Sequence, residues 1–224
     1  MKTLVIIPAY NESSNILNVI NNLNEYFNNY DYIVINDCST DNTEIILNTN
    51  HICHITLPVN LGLAGAVQTG YKYAWENGYD CAIQFDGDGQ HEAVYISSMI
   101  DEIKKGADIV IGSRFVNKRK DLSLRMLGSR VLTMLISVTT GKRINDPTSG
   151  MRMLNRKMIY DFAYNMNRRP EPDTIVYELR KGAKIVEVQV EMKDRVAGVS
   201  LYSGLGNSVK YMVKMIISIL FLSY

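Results

Sequence analysis

Short apolar runs, each stopped by a polar, proline or glycine cluster, constrain this chain more than any other feature. They are Leu4 to Ile7, Tyr32 to Ile35, Ile52 to Leu57, Cys81 to Phe85 and Asp108 to Ile111. Runs this short suit buried strands rather than helices. Between them lie segments of helical character. Ile16, Val19, Ile20 and Leu23 repeat at helical spacing behind Ser13 or Ser14, either of which can cap a helix. Glu44 to Leu47 starts a second helix. Gly62 to Glu76 forms a third, with small residues on one face and Asn77-Gly78 at its end, and Val94 to Lys105 a fourth. Strands alternating with helices predict an α/β fold, a mostly parallel sheet covered on both faces. In such sheets ligands bind beyond the carboxyl ends of the strands. The polar clusters at 36–41 and 86–90 should therefore face one cleft.

The 224 residues suffice for one α/β domain with a core that needs no disulfide staples. Lys and Arg number 24 against 23 Asp and Glu, a balance that excludes a nucleic-acid-coating protein. Cys38, Cys53 and Cys81 lack CxxC spacing and read as buried, reduced thiols in a cytosolic protein. The opening MKTLVIIPAYNES carries one Lys and an apolar run stopped at Pro8, a buried first strand rather than a signal peptide. The second half differs. Arg114, Lys118, Arg119, Lys120, Arg125 and Arg130 stand against Asp121 alone, and the apolar stretch Val131 to Val138 follows. Ile185 to Val190 reads as a strand and Lys210 to Leu222 as an apolar helix, far short of the roughly 20 residues that cross a bilayer. We expect a domain over 1–200 and a C-terminal helix over 201–224, packed on that domain or lying at a membrane surface.

Asp86-Gly87-Asp88 places two carboxylates one residue apart at a strand end, where they can converge on a hard divalent cation that bridges a diphosphate. A lone DxD also occurs by chance in surface loops; its position after an apolar strand, with Gln90 and His91 following, favours the site. Asp37, Ser39 and Asp41 form a second cluster. Asp41 suits a helix cap, while Asp37 is placed either to accept hydrogen bonds from a nucleobase or ribose or to serve the loop. His51 and His54 read as structural, and His91 as a neighbour of the metal motif.

Four ordered segments carry a resemblance: Pro8-Ala9-Tyr10-Asn11-Glu12, Asn36 to Asp41, Asn60-Leu61-Gly62 with Ala66 and Gly70, and Asp86-Gly87-Asp88-Gly89-Gln90. In that order they resemble the signatures of glycosyltransferase family 2. Gly112-Ser113-Arg114, Asp146 to Arg152, and Glu187-Val188 followed by Arg195 and Gly198-Val199-Ser200 resemble its dolichol- and polyprenyl-phosphate mannose synthase branch. The resemblance spans about residues 3–200. It implies a GT-A fold with basic and apolar helices in the C-terminal half, and an inverting, metal-dependent transfer from a nucleoside-diphosphate sugar. Pro8, Tyr10, Glu12, Asp37 and Asp86 would hold the nucleotide; Asp86, Asp88 and Gln90 would hold magnesium or manganese.

The acceptor is the open point at this stage. A polyprenyl phosphate is already an anion, and Arg114, Arg152, Arg195 and Ser200 sit at positions matching its binding site, since guanidinium forks suit phosphate. Leu201 stands where that pattern often has Lys. With a saccharide hydroxyl, as in capsule or cell-surface polysaccharide synthesis, Asp146 is the candidate base; otherwise it orients the Ser149-Gly150 turn or an arginine. No QxxRW segment of processive synthases is present. A lipid acceptor implies a peripheral enzyme on the cytosolic membrane face, working alone or with a separate small membrane subunit. A non-catalytic nucleotide-sugar-binding scaffold is the rival of another class, and the retained Asp86 and Asp88 argue against it. The loop after the first strand is not the Gly-rich basic loop of a nucleotidyltransferase.

Overall fold

The structure is a computed structural model that describes residues 1–26, 30–121, 123–165, 172–193 and 205–221. Strands β1 (Thr3–Ala9), β2 (Asp31–Asn36), β3 (His54–Thr56), β4 (Cys81–Gln84), β5 (Ile109–Ser113), β6 (Arg152–Asn155) and β7 (Ile185–Gln189) form one sheet. Their order is β3-β2-β1-β4-β6-β5-β7. All pairings are parallel except those of β6, which runs antiparallel to β4 and β5. The expected α/β class and the first five strands are present, with β3 shorter than its apolar run.

β6 is the element its sequence hides. Arg152 interrupts Met151, Met153 and Leu154, so the segment does not read as apolar. The Arg is nonetheless buried, because Nε donates to Ser149 O and Nη2 to Pro147 O, 3.0 Å each. A buried charge is tolerable only with such partners.

Helices α1 (Ile16–Tyr26), α2 (Thr43–Thr49) and α4 (Ile96–Lys104) cover one face. Val19, Ile20 and Leu23 of α1 meet Val5 and Ile7 of β1 there. Neither Ser13 nor Ser14 caps α1 through its hydroxyl; the chain turns in as Asn15 and Ile16 N–H donate to Glu12 O. The helix expected from Val94 starts as a 3₁₀ turn, Ala93–Tyr95, before α4. Helices α3 (Gly62–Glu76), α5 (Leu124–Thr140), α6 (Arg156–Tyr160), α7 (Pro172–Arg180) and α8 (Leu205–Phe221) cover the other face. Each fully buried Leu, Ile or Val of β1 contributes about 1.5–3 kcal/mol of burial. Gly70 sets the spacing of α3: a Cβ there would lie 2.2 Å from Ile6 Cγ2, so Gly70→Ala would push the helix off β1.

Helix α8 packs on the domain through Met215 and Ile219. It comes close enough to α5 that a Cβ on Gly128 would sit 3.0 Å from Met212 Sδ. Its Ser218 hydroxyl donates to Asp173 of α7 at 2.6 Å.

Candidate active site

The chain crosses from β1 to β2 on one side and returns to β4 on the other. The carboxyl ends of β1, β2 and β4 therefore open a crevice where strand order reverses, the usual ligand position in an open α/β sheet. Two loops build its first wall. Asn11, at φ 57°, occupies the left-handed region that Asn tolerates. Its Oδ1 accepts from Thr40 N at 2.8 Å and Asp41 N at 3.3 Å, and its own N–H donates to Ser39 Oγ. Asp41 closes the same seam, accepting Thr43 N at 2.9 Å and Ser13 N at 3.1 Å. Burial works against its charge, but these hydrogen bonds prevail and hold its pKa below the usual range. Asp41 thus caps the start of α2 and braces the loops. Asn11 shares that stitching role, which its place in the sequence motif did not announce.

Asp37 lies deeper. Its Oδ1 accepts Leu61 N at 2.7 Å and its carbonyl accepts Asn60 Nδ2. Oδ2 accepts nothing from the described residues. Tyr10 is exposed at the rim, and Pro8 is buried in β1. Glu12 Oε2 accepts Asn15 Nδ2 at 2.7 Å.

Asp86, Gly87 and Asp88 follow β4. Gly87 is required by close approach, since a Cβ would meet Pro8 O at 2.9 Å. Gln84 Nε2 donates to Asp86 Oδ1, and Asp88 Oδ1 accepts Gln90 N. Gln90 is only partly placed for a cation: its Nε2 donates to Lys193 O at 3.3 Å and its carbonyl accepts Lys193 N at 3.0 Å. Among the described residues no group of three or more His, Cys, Asp or Glu gathers to hold a metal ion. The part-exposed Asp86 and its neighbour Asp88 still fit magnesium or manganese by their chemistry, since these ions prefer carboxylate oxygens and take few protein ligands at nucleotide sites.

The opposite wall is cationic. Arg114, after β5, donates Nε and Nη2 to Asp146 Oδ2 and Oδ1 at 2.7 and 2.8 Å, and its backbone N–H donates to Oδ2 at 3.1 Å. Asp146 is fully buried. Glu187 on β7 fixes this turn, accepting Asp146 N at 2.7 Å and Asn145 N at 2.8 Å. Burial disfavours charge on Arg114, but the hydrogen bonds and charge of Asp146 outweigh it and raise its pKa. In this geometry Asp146 holds an arginine in place, the arrangement that one of the two roles left open for it requires. A general base needs a lone pair facing substrate, and both Asp146 oxygens are spent. Arg152, expected at the acceptor, instead lies behind the Pro147–Ser149 turn as its brace.

Lys120 is a residue that the basic stretch concealed among its neighbours. Its Nζ donates to Ser129 Oγ at 2.7 Å and Thr133 Oγ1 at 3.0 Å, while Arg130 Nη2 donates to Lys120 O. Burial lowers its pKa to about 8; Asp146 and Glu187 pull it up, and Arg114 and Arg130 push it down. Arg114, Lys120 and Arg130 thus gather on one side of the crevice. Arg195, Ser200 and Leu201 lie outside the described residues.

His91 lies against Asp86, whereas His51 is exposed and His54 donates Nδ1–H to Ile52 O, both away from the crevice; of the three cysteines expected to be buried, Cys81 is, Cys38 is half-buried and Cys53 is exposed.

Residues 4–162 match the family model described as glycosyl transferase family 2. The chain is 28% identical to a polyprenol monophosphomannose synthase of Mycolicibacterium smegmatis, over 91% of this chain and 82% of that protein. It is 35% identical to a UDP-N-acetylglucosamine–dolichyl-phosphate N-acetylglucosaminyltransferase of Methanococcus voltae, over 69% of this chain and 70% of that protein. Among solved structures it resembles glucosyl-3-phosphoglycerate synthase of Mycobacterium tuberculosis in complex with Mn²⁺, UDP-glucose and phosphoglyceric acid. That match has a TM-score of 0.73 at 17% identity and covers 100% of this chain and 81% of the other, a likeness of fold.

Proposed function

The chain belongs to glycosyltransferase family 2, and from that premise we propose that it moves a sugar from a nucleoside-diphosphate sugar to a polyprenyl phosphate, inverting the anomeric centre. The observation that carries this reading is the state of Asp146. With its carboxylate buried and paired to Arg114, Asp146 is not available as a base, and among the described residues the acceptor side offers the cations Arg114, Lys120 and Arg130. A hydroxyl acceptor must lose a proton during attack; a phosphate oxygen is already a nucleophilic anion. The named activities of the relatives support the same acceptor class.

In this mechanism Asp37 receives the nucleoside through Oδ2, beside Tyr10 and Glu12. Asp86 and Asp88 hold the diphosphate end, with a divalent metal that would neutralise charge on the departing nucleoside diphosphate. Arg114 presents the Nη1 side of a guanidinium fixed by Asp146, and Lys120 adds a second donor. Arg195 and Ser200 are proposed to complete the acceptor site. The crevice then aligns phosphate oxygen, anomeric carbon and leaving oxygen, which replaces a bimolecular encounter by an oriented one.

Among the described residues no helix is long and apolar enough to cross a membrane. Leu127, Val131, Met134 and Val138 of α5 and Val213, Ile217, Leu220 and Phe221 of α8 are nevertheless exposed on adjoining helices. Exposed Lys142, Arg143, Lys210 and Lys214 accompany them. We propose that this face rests on the cytosolic surface of an anionic bilayer and brings the crevice to its lipid substrate.

The test is nucleoside-diphosphate release from a panel of nucleotide sugars with magnesium or manganese, with and without polyprenyl phosphate. Release stimulated by the lipid phosphate and abolished in Asp88→Ala is expected. Full turnover in Asp88→Ala would overturn the metal assignment, and stimulation by a saccharide in place of the lipid would overturn the acceptor.

A further inference from the structure

Asp86 is held from three sides by groups to which the ligand-binding roles above give no task. Gln84, buried on β4, donates Nε2 to Asp86 Oδ1 at 2.8 Å. His91, also buried, accepts the Asp86 backbone N–H at Nδ1, 2.9 Å away. A neutral imidazole that accepts at Nδ1 carries its proton on Nε2, and Nε2 lies 3.6 Å from Asp86 Oδ2. The Phe85 ring meets the imidazole edge to face at 5.4 Å and fixes its plane. On the third side Gly150 lies so close that a Cβ would sit 2.8 Å from Asp86 Oδ2 and 3.5 Å from Gln84 Nε2.

An unrestrained Asp side chain samples three χ1 wells and a broad χ2. A cation that must select one of them loses affinity to the ordering it imposes. Groups behind a ligating carboxylate remove that loss by fixing it beforehand, and their removal weakens metal binding about 10–100-fold. We propose that Gln84, His91 and Gly150 are positioning residues that hold the Asp86 carboxylate in the single orientation in which a metal–diphosphate meets it. This rests on the placement of Asp86 in the donor site proposed above. Gln84 fixes one oxygen, His91 fixes the backbone and faces the other oxygen, and the missing side chain of Gly150 leaves room for it.

Gly150→Ala is the sharpest probe, because it deletes no hydrogen bond. The atom in its way is the tip of a side chain, so the methyl is accommodated by displacing the Asp86 carboxylate rather than the backbone. The readout is Mn²⁺ affinity in the presence of uridine or guanosine diphosphate, followed by the electron paramagnetic resonance of free Mn²⁺, together with donor KM and kcat. Gly150→Ala and Gln84→Leu are each expected to bind Mn²⁺ about tenfold more weakly and to raise donor KM, with little change in melting temperature for Gly150→Ala. His91→Leu should lose affinity, and His91→Asn, whose Oδ1 can still accept the Asp86 N–H, should recover it. If Gly150→Ala does not fold, Gln84→Leu and the His91 pair decide the matter. Wild-type Mn²⁺ affinity in Gly150→Ala and Gln84→Leu, alongside its loss in Asp86→Ala, would overturn the positioning role alone. Unaltered binding in Asp86→Ala would overturn the donor-site placement, and the positioning role with it.

Discussion

Replacing Asp146 by Asn removes one charge while keeping the shape of a fully buried side chain. The carboxylate accepts Arg114 N, Nε and Nη2, and the Thr148 hydroxyl donates to Oδ1 at 3.2 Å. The Asn amide keeps one accepting oxygen and turns an NH2 group toward the guanidinium. Neutralising one partner of a buried ion pair costs about 3–5 kcal/mol, because the other charge is left without compensation. The Arg114 side chain is 23% exposed, so water recovers part of this, and the lower end, about 3 kcal/mol, applies. For a chain of this size that corresponds to a melting temperature lower by about 6–12 °C. The assay is calorimetric melting with single-turnover kinetics across pH, run below the variant's transition. The expected result is a destabilised enzyme with weakened acceptor binding, which still turns over with the wild-type pH profile. A variant that melts like wild type but loses about 10²–10⁴-fold in rate, together with the acidic limb of its pH profile, would refute the reasoning. Asp146 would then be a base and the acceptor a hydroxyl.

Glu178 on α7 is buried between Asp161 and Lys181, and its pKa is raised to about 7, mainly by desolvation. A raised carboxyl pKa means that the folded state holds a proton which the unfolded state releases above about 4.5. Stability should therefore fall as pH rises through 4.5 to 7, by up to about 3 kcal/mol. Glu178→Gln should remove that dependence and melt higher than wild type at pH 8; an unchanged pH–stability curve would contradict it. Lys120, with a pKa of about 8, should lose its charge as pH passes that value. KM for polyprenyl phosphate should then rise above pH 8 in wild type and stay level in Lys120→Arg; parallel curves would exclude Lys120 from the acceptor site. Met134→Glu with Ile217→Glu should reduce sedimentation with anionic vesicles while leaving turnover on a short-chain soluble acceptor intact. Equal sedimentation of both proteins would show that α5 and α8 do not face the bilayer.

Much of the fold is legible because apolar runs and helical spacing are local signals. The ends of β1, β2, β4 and β5 lie within two residues of the ends of their runs, and Val19, Ile20 and Leu23 face the core as their spacing implies. β6 is not legible, because what makes Arg152 buriable is the pair of carbonyls at Pro147 and Ser149, which only the folded turn supplies. The same holds for α6 and α7, whose short amphipathic segments carry charges such as Glu178 that are buried in the fold. The places of Asp37 just after β2 and of Asp86 and Asp88 after β4 are legible from the apolar runs that precede them. The partners of Asp146 are not: Arg114 lies 32 residues away and Glu187 about 41, and sequence alone left it both a base and a brace. Lys120 stood undistinguished in a basic run until its two hydroxyl partners on α5 were seen.

The most direct test of the central claim is the ³¹P spectrum of the lipid phase after incubation with donor, metal and polyprenyl phosphate. Conversion of the phosphomonoester resonance to that of a glycosyl phosphodiester, dependent on metal and absent in Asp88→Ala, is the predicted result. An unchanged monoester, with the sugar recovered on a saccharide hydroxyl, would contradict it.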